Sequence, residues 1–412
     1  MKKILQISLE VNSGSVGRIA EQIGEVAISH GWESYITYAR NHLSSRSHTI
    51  KIGSMWDVYW HGLMTRIFDN HALCSTRATR KLIEKIELIK PDIIQLHHIH
   101  GYFINMKILF EYLSSVEIPV VWIFHDCWSM TGHCAHFDYV RCEKWKTGCY
   151  ECVQKKAYPA SWVFDRSKEN YLLKKKLFNS VGNLTIIPVS YWLGEIVEKS
   201  FLGGHKIRVI QNGIDLNVFA PQNNDNEIRQ KYGIGVKTML LGVASTWEDK
   251  KGLKDFFELQ KRTGMDSVIV LVGLSRQQIR KLPKGIIGIA RTENVQQLAE
   301  LYSAADVFIN PTWEDTFPTT NLEAVACGTP VITYKTGGSV ESVSPETGFV
   351  VEQGDIDAVC CAVRSIRNKG KNYYREVCRQ RAEKLYNKKD RFEEYMQLYS
   401  ELLKLKNGTG RL

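Results

Sequence analysis

Short apolar runs alternate with amphipathic helical stretches along the whole chain, and this alternation constrains the fold more than any other feature. Residues 4–9, 34–38, 93–96, 120–124 and 185–189 are apolar runs of strand length, while 17–30 and 78–89 carry helical spacing. Strands interleaved with helices predict parallel sheets covered on both faces, the α/β class. The pattern restarts with runs at 207–210, 239–244, 267–272, 286–290, 307–309 and 331–333. At 412 residues the chain exceeds the size at which one hydrophobic core keeps growing. Two domains are therefore expected, 1–204 and 205–389, with the boundary near Gly203 and Gly204 and a polar surface loop at 222–226. A last helical segment, 390–412, sets Phe392, Tyr395, Met396, Leu398, Leu402 and Leu403 among charged residues.

Composition excludes several classes. No stretch approaches the roughly 20 apolar residues that a membrane span needs. The start, Met1 to Glu10, has two lysines and a short apolar run but no long hydrophobic region or small-residue cleavage site, so it reads as a first strand. A cytoplasmic location is expected. The formal charge of +10 is moderate and dispersed, and no helix-turn-helix, RNA-binding or zinc-finger pattern accompanies it, so no nucleic-acid partner is expected. A zinc-containing nucleic-acid binder stays only as a minor alternative. Residues 168–178 form a basic amphipathic stretch that suits either an anionic membrane surface or an ordinary solvated helix.

The segment 311–324 carries the most chemistry. It lies between an apolar strand run and a helical stretch that stops at Gly328, where open α/β sheets place their ligands. Thr320 and Glu323 have the spacing of a capping box. Amides near Thr319 and Thr320 would then favour an anion such as a diphosphate. Glu314, Asp315 and Glu323 add carboxylates for hydroxyl groups. The plainer reading is a capped helix behind a solvated acidic loop. Ser13-Gly14-Ser15-Val16-Gly17 follows the first strand, and Gly14 there permits close backbone approach, although the run is not a dinucleotide fingerprint. His97, His98, His100 and His125 all fall at strand ends, where a metal site is conceivable and satisfied histidines are the simpler alternative. Cys134, Cys142, Cys149 and Cys152 follow the spacing C-x7-C-x6-C-x2-C, which fits a structural zinc or free thiols better than disulfides.

Asp315 and Glu323 are separated by seven residues, and the segment resembles the E-x7-E signature of the retaining glycosyltransferases of family 4, which have the GT-B fold. Pro188-Val189-Ser190-Tyr191-Trp192-Leu193, Asn212-Gly213-Ile214-Asp215 and Thr336-Gly337-Gly338-Ser339-Val340-Glu341 resemble further motifs of that family in the right order. The run from His125 to Cys134 resembles its colanic-acid and capsule type. The resemblance implies two Rossmann-like domains facing a central cleft, with a C-terminal helix returning to the first. It also implies sugar transfer from a nucleotide-sugar donor, with retention, to a glycan or lipid-linked acceptor of a cell-surface polysaccharide. Membrane contact would be peripheral, and no cofactor would be required. Lys250-Lys251-Gly252-Leu253 resembles the family's K-G-L step and makes Lys251 the diphosphate cation, although Thr246 stands where the family usually has an arginine. A lysine before a helix opposes the helix dipole unless an anion lies beside it. By the same resemblance Glu323 takes the donor ribose, and Asp315, with Glu314 competing for the position, takes the transferred sugar. Gly14 faces the donor, His125 contacts the transferred sugar and His100 lines the acceptor side. An epimerase or phosphorylase on the same architecture is the alternative, but the pyridoxal phosphate lysine site of a phosphorylase is not located.

Overall fold

The computed structural model describes residues 1–409. It divides into two compact units, Met1–Gln211 together with the chain from Arg391 onward, and Asn212–Asp390. The first unit holds β1 (Lys3–Ile7), β2 (Glu33–Tyr38), β3 (His48–Lys51), β4 (Ile93–Leu96), β5 (Val120–Phe124), β6 (Leu184–Pro188) and β7 (Lys206–Ile207). They form one sheet in the order β3-β2-β1-β4-β5-β6-β7, with every pair parallel. β4, β5 and β6 are buried along their whole length, which is why they read as continuous apolar runs and not as alternating ones. β3 escapes a hydrophobicity reading because it is a short, largely exposed edge strand.

The second unit repeats the plan with β8 (Thr238–Val243), β9 (Ser267–Val272), β10 (Ile286–Ile289), β11 (Val307–Asn310), β12 (Val331–Tyr334) and β13 (Gly348–Val351). Their order is β10-β9-β8-β11-β12-β13, again parallel throughout. In each sheet the strand order reverses once, at β1/β4 and at β8/β11. Loops leaving the carboxyl ends of those strands diverge, and the space between them is where this architecture accepts ligands.

Four expectations are corrected or refined. The first unit extends to Gln211, not to residue 204. The run 207–210 closes the first sheet instead of opening the second: Lys206 and Ile207 pair with Thr185 and Ile186, and the amides of Arg208 and Ile210 donate to the carbonyls of Ile186 and Pro188. The C-terminal helix spans Lys388–Thr409 and is longer than expected at its start. Its apolar residues Phe392, Tyr395, Met396, Leu398, Leu402 and Leu403 are buried. It packs within the first unit through Tyr399, whose ring lies 5.9 Å from that of Trp32 and whose hydroxyl donates to Gln95. Finally, the basic stretch at 168–178 is the helix Ser167–Phe178, and its Lys174 is fully buried. That ammonium donates to the carbonyls of Trp128 and Thr131 at 2.7 and 3.0 Å and lies over the Trp128 ring. This helix therefore does not present all its lysines to a surface. Among the described residues no helix is long and apolar enough to cross a membrane.

Candidate functional site

In the second unit, the loop after β8 ends in a short 3-10 turn, Asp249–Lys251, before the helix Leu253–Thr263. Gly252 joins them at φ 76°, and a Cβ there would stand 2.3 Å from the carbonyl oxygen of Pro311. Only glycine allows the two switch-point loops to approach so closely. The Trp313 amide donates to the Lys250 carbonyl at 2.8 Å. Two ion pairs then bridge the loops, Lys250 Nζ to Glu314 Oε1 at 2.6 Å and Lys251 Nζ to Asp315 Oδ2 at 2.8 Å. Burial pulls the Lys251 ammonium toward its neutral form, but Asp315, and then Glu314, outweigh it and raise its pKa. The anion that this lysine needs is therefore already supplied by Asp315. Glu314 is the more buried carboxylate, and its Oε2 has no hydrogen-bond partner among the described residues. A third loop, after β12, rests on the acidic one: Thr336 Oγ1 donates to the Thr312 carbonyl at 2.9 Å and the Gly338 amide to the Asp315 carbonyl at 3.3 Å. Lys250 was not singled out in the sequence. Adjacent lysines look alike there, and only the cross-loop pairing gives both a role.

The expected capping box is not formed. The helix is Thr319–Ala326, with Pro318 in the cap position and no side-chain cap bond. Thr319 and Thr320 thus lie in its first turn, where amides lack intrahelical acceptors. Glu323 instead accepts a hydrogen bond from the buried Tyr302 hydroxyl at 3.0 Å. Burial, reinforced by Glu323, drives the Tyr302 pKa well up, so this hydroxyl remains a donor. The helix start is fixed by Asn321, which accepts from Asn310 and donates to Ser342, both at 2.8 Å.

In the first unit, Gly14 (φ 62°) heads the helix Gly14–Ser29, and a Cβ on it would approach Glu10 Oε2 to 2.8 Å. Beside this turn, Ser8, Leu9, Glu10, Ser15, Val16, Gly17 and His98 line a cavity of about 190 Å3. His125 follows β5 and stacks on His97 with ring centroids 5.6 Å apart, and His97 Nδ1 lies 3.3 Å from His125 Nε2. His97 also contacts Gln6 Oε1 at 3.0 Å and is buried, so it is a satisfied core histidine that holds His125. Asp126 sits between His98 at 3.3 Å and His100 at 2.8 Å. Its other oxygen accepts from the Trp128 amide at 3.0 Å. His100 Nδ1 meets the Tyr158 hydroxyl at 3.1 Å. Burial pushes His97 down to about 3 and His98 down to about 4, and it holds His125 well below its ordinary value. Burial opposes ionisation of Asp126, but the facing His100 and His98 prevail and keep its pKa low. Near neutral pH His97, His98 and His125 are therefore uncharged.

The cysteine-rich insertion differs from the expectation. None of the ten cysteines, all among the described residues, is in a disulfide. Cys134, Cys142, Cys149 and Cys152 do line one cavity of about 20 Å3, with His133 beside them. The groups of three potential metal ligands whose donor atoms lie within 4.8 Å of one another are instead Asp69, His71 and His133, and His98, His100 and Asp126. Neither group contains a cysteine, so the tight four-sulfur convergence expected of a zinc site is not formed. Cys134 and Cys152 share a hydrogen bond, which lowers the Cys152 pKa to about 7, while burial raises that of Cys149 to about 11. His133 pairs with the buried Asp69 at 2.6 Å and is thereby turned to a different partner.

Two family models match, one described as glycosyltransferase family 4 over residues 20–218 and one as glycosyl transferases group 1 over residues 238–368. The chain is 26% identical over 250 residues to the putative colanic acid biosynthesis glycosyl transferase WcaC of Escherichia coli, an alignment covering 56% of this chain and 59% of that protein. It is 27% identical over 226 residues to the Escherichia coli UDP-Gal:alpha-D-GlcNAc-diphosphoundecaprenol alpha-1,3-galactosyltransferase, covering 50% of this chain and 57% of the relative. Among solved structures, sucrose-phosphate synthase from Thermosynechococcus elongatus superposes with a TM-score of 0.72 at 17% identity, over 98% of this chain and 100% of that one. Anabaena HepE in complex with UDP superposes with a TM-score of 0.69 at 14% identity, over 97% and 100%. The α/β fold with two Rossmann-like parallel-sheet units is that of the GT-B class.

Proposed function

We propose that the chain is a glycosyltransferase of the kind its two matching family models describe, and that it transfers a sugar from a nucleotide-sugar donor to a glycan or lipid-linked acceptor of a cell-surface polysaccharide, with retention of configuration. The observation that carries this reading is the pair of Lys–carboxylate bridges across the β8/β11 switch point. Breaking the bond between the anomeric carbon and the diphosphate oxygen leaves negative charge on the diphosphate. Fixed cations and helix-start amides lower that barrier because they need no reorganisation. Lys251, with Lys250 beside it, and the amides near Thr319 and Thr320 fill this role. Glu323, oriented by Tyr302, takes the ribose hydroxyls. Asp315 or Glu314 takes hydroxyls of the transferred sugar, and the partnerless Oε2 of the buried Glu314 supports that assignment.

No side-chain nucleophile is assigned. The acceptor oxygen would bond to the anomeric carbon on the face the diphosphate leaves, through an oxocarbenium-like state, and its proton would pass to a departing phosphate oxygen. In the first unit, His125 is assigned to the transferred sugar and Gly14 to close approach of the donor, on the family resemblance. What supports His125 is its fixed, uncharged ring, which can bond a hydroxyl without adding charge. A relative whose name specifies a diphosphoundecaprenol-linked acceptor supports the lipid-linked class.

A thermal-shift panel of nucleotide sugars and their nucleoside diphosphates tests the reading, since a ligand of the folded state raises the melting temperature. One base should stand out with both its sugar nucleotide and its diphosphate. A flat panel at millimolar ligand would overturn the proposal.

A further inference from the structure

Helix Met55–Phe68 opens with a capping box formed by Ser54 and Asp57 and buries Val58, His61, Gly62 and Thr65. Those positions follow the i, i+3, i+4, i+7 spacing of one helix face. The opposite face has the same spacing but is not polar: Trp56 is 82% exposed, Tyr59 63%, Trp60 60% and Leu63 44%. Beside it, Trp162, Val163 and Phe164 are also more than half exposed. This second segment hangs on the last turn of the helix. The Trp162 amide donates to the Arg66 carbonyl at 2.7 Å and the Phe164 amide to that of Ile67 at 3.1 Å. Phe68 stacks on Phe164 with centroids 5.6 Å apart. Two chain segments thus build one apolar surface, whereas exposed apolar residues on a folded protein normally occur singly.

The charges around this surface indicate what covers it. Arg66 lies 5.6 Å from the Trp162 ring centroid, and Lys155 Nζ donates to the Val163 carbonyl at 3.1 Å. Neither forms an ion pair among the described residues. The nearby carboxylates are engaged elsewhere: Asp57 accepts from the amide and hydroxyl of Ser54, and Asp165 accepts from the amides of Cys152 and Ser167. Trp and Tyr rings prefer the headgroup level of a bilayer, where their polar edges stay wet. Arginine and lysine at that level meet lipid phosphates and add electrostatic binding to an anionic leaflet. The chain's net charge of +10 acts in the same direction.

We propose that helix Met55–Phe68 and the 162–164 segment dock the first unit onto an anionic lipid bilayer, with Trp56, Trp60, Trp162 and Phe164 at headgroup level. The docking does not rest on the transferase reading, because a lipid surface and a nucleotide are bound by different residues. The test is flotation of the full chain with vesicles of phosphatidylglycerol and phosphatidylcholine, and with phosphatidylcholine alone, for wild type and a Trp56→Ser, Trp60→Ser variant. Wild type should float with the anionic vesicles and release as salt rises. The variant should bind at least roughly tenfold more weakly, since much of the inserted apolar area is gone. Both side chains point to solvent, so circular dichroism and nucleoside diphosphate binding should match wild type. Failure of wild type to float, or equal flotation of the variant, overturns the proposal. So does Trp-dependent self-association without vesicle binding, which would give the surface to a second copy of the chain. Flotation without nucleotide binding would retain the docking surface and refute the transferase reading alone.

Discussion

The two units share one topology yet place opposite chemistry at the same point. Each parallel sheet reverses its strand order once, and each reversal is flanked by a glycine-dependent turn, at Gly14 in one and Gly252 in the other. At β8/β11 the loops carry Lys250, Lys251, Glu314 and Asp315, joined as two ion pairs. At β1/β4 the neighbouring loops carry His97, His98 and His100, with His125 close by. All 12 histidines of the chain fall between residues 30 and 205, inside the first unit, and the second has none. Topology decides where a ligand can sit, and the loop residues decide what kind it is. A fixed array of charges suits a diphosphate, whereas neutral donors and acceptors suit sugar hydroxyls.

The largest expected effect lies on the charged side. Lys251→Ala should lower transfer at least about 100-fold, the scale for removing a preorganised group aimed at developing charge. Its melting temperature should change little, because the pair is partly exposed. Glu323→Ala should act similarly through the donor. Within the acidic loop, Asp315→Ala should cost more activity than Glu314→Ala, since it also frees Lys251. The reverse order would transfer the first acidic role to Glu314. A folded Lys251→Ala protein with near-normal turnover would break the assignment of the diphosphate to this unit.

Acid should separate the units. Burial lowers His61 and His98 to about 4 and His97 to about 3, against about 6.5 for an exposed ring. As pH falls below 6.5 the unfolded chain takes up protons that the folded unit refuses, so stability drops through the window from about 6.5 to 4. Each such histidine removes on the order of 3 kcal/mol by the lower end. His133 works the other way, because Asp69 outweighs burial and raises its pKa. Its contribution is present below 6.5 and is lost as pH rises through the folded value, so it offsets part of the acid effect. Asp126, with its depressed pKa, adds a further loss only below the ordinary carboxylate range. Hydrogen exchange on the intact chain at neutral pH and near pH 5 should show protection falling first in peptides from β4 and β5. Equal loss from β8 and β11 would remove the contrast.

The smallest expected effect is that of a divalent-metal chelator on transfer. On the proposed reading, Lys250 and Lys251 would supply the counter-charge, so turnover should persist. Complete loss in chelator, restored by magnesium, would contradict this account of the second unit.

Much of this was legible in the sequence. Buried parallel strands leave continuous apolar runs, so β1, β2, β4, β5, β6 and most of the second sheet stood out. β3 did not, being short and largely exposed at the first sheet's edge, and the run at 207–210 that continues β7 stood out but was assigned to the second sheet. Loop chemistry was legible as composition but not as pairing. Glu314, Asp315, Glu323 and Lys251 were visible, but Lys250 as a partner of Glu314, and Tyr302 as the group orienting Glu323, needed contacts across more than 20 residues. The Thr320 cap failed because Pro318 fixes the helix start two residues earlier than the hydroxyl requires. The spacing of four cysteines could not reveal that their sulfurs share a cavity without closing on one point. The helix Met55–Phe68 was not read from the sequence at all, because apolar residues on both of its faces leave no single amphipathic stripe.

The central claim is that the second unit binds the donor diphosphate through Lys251. Calorimetric titration of the nucleoside diphosphate selected by the thermal-shift panel tests it most directly, in wild type, Lys251→Ala and His125→Ala proteins. The account predicts saturable one-to-one binding to wild type, near-equal affinity for His125→Ala, and affinity reduced about tenfold or more for Lys251→Ala, the scale of a charge-assisted phosphate contact. Undiminished binding to Lys251→Ala, with loss confined to His125→Ala, would contradict it.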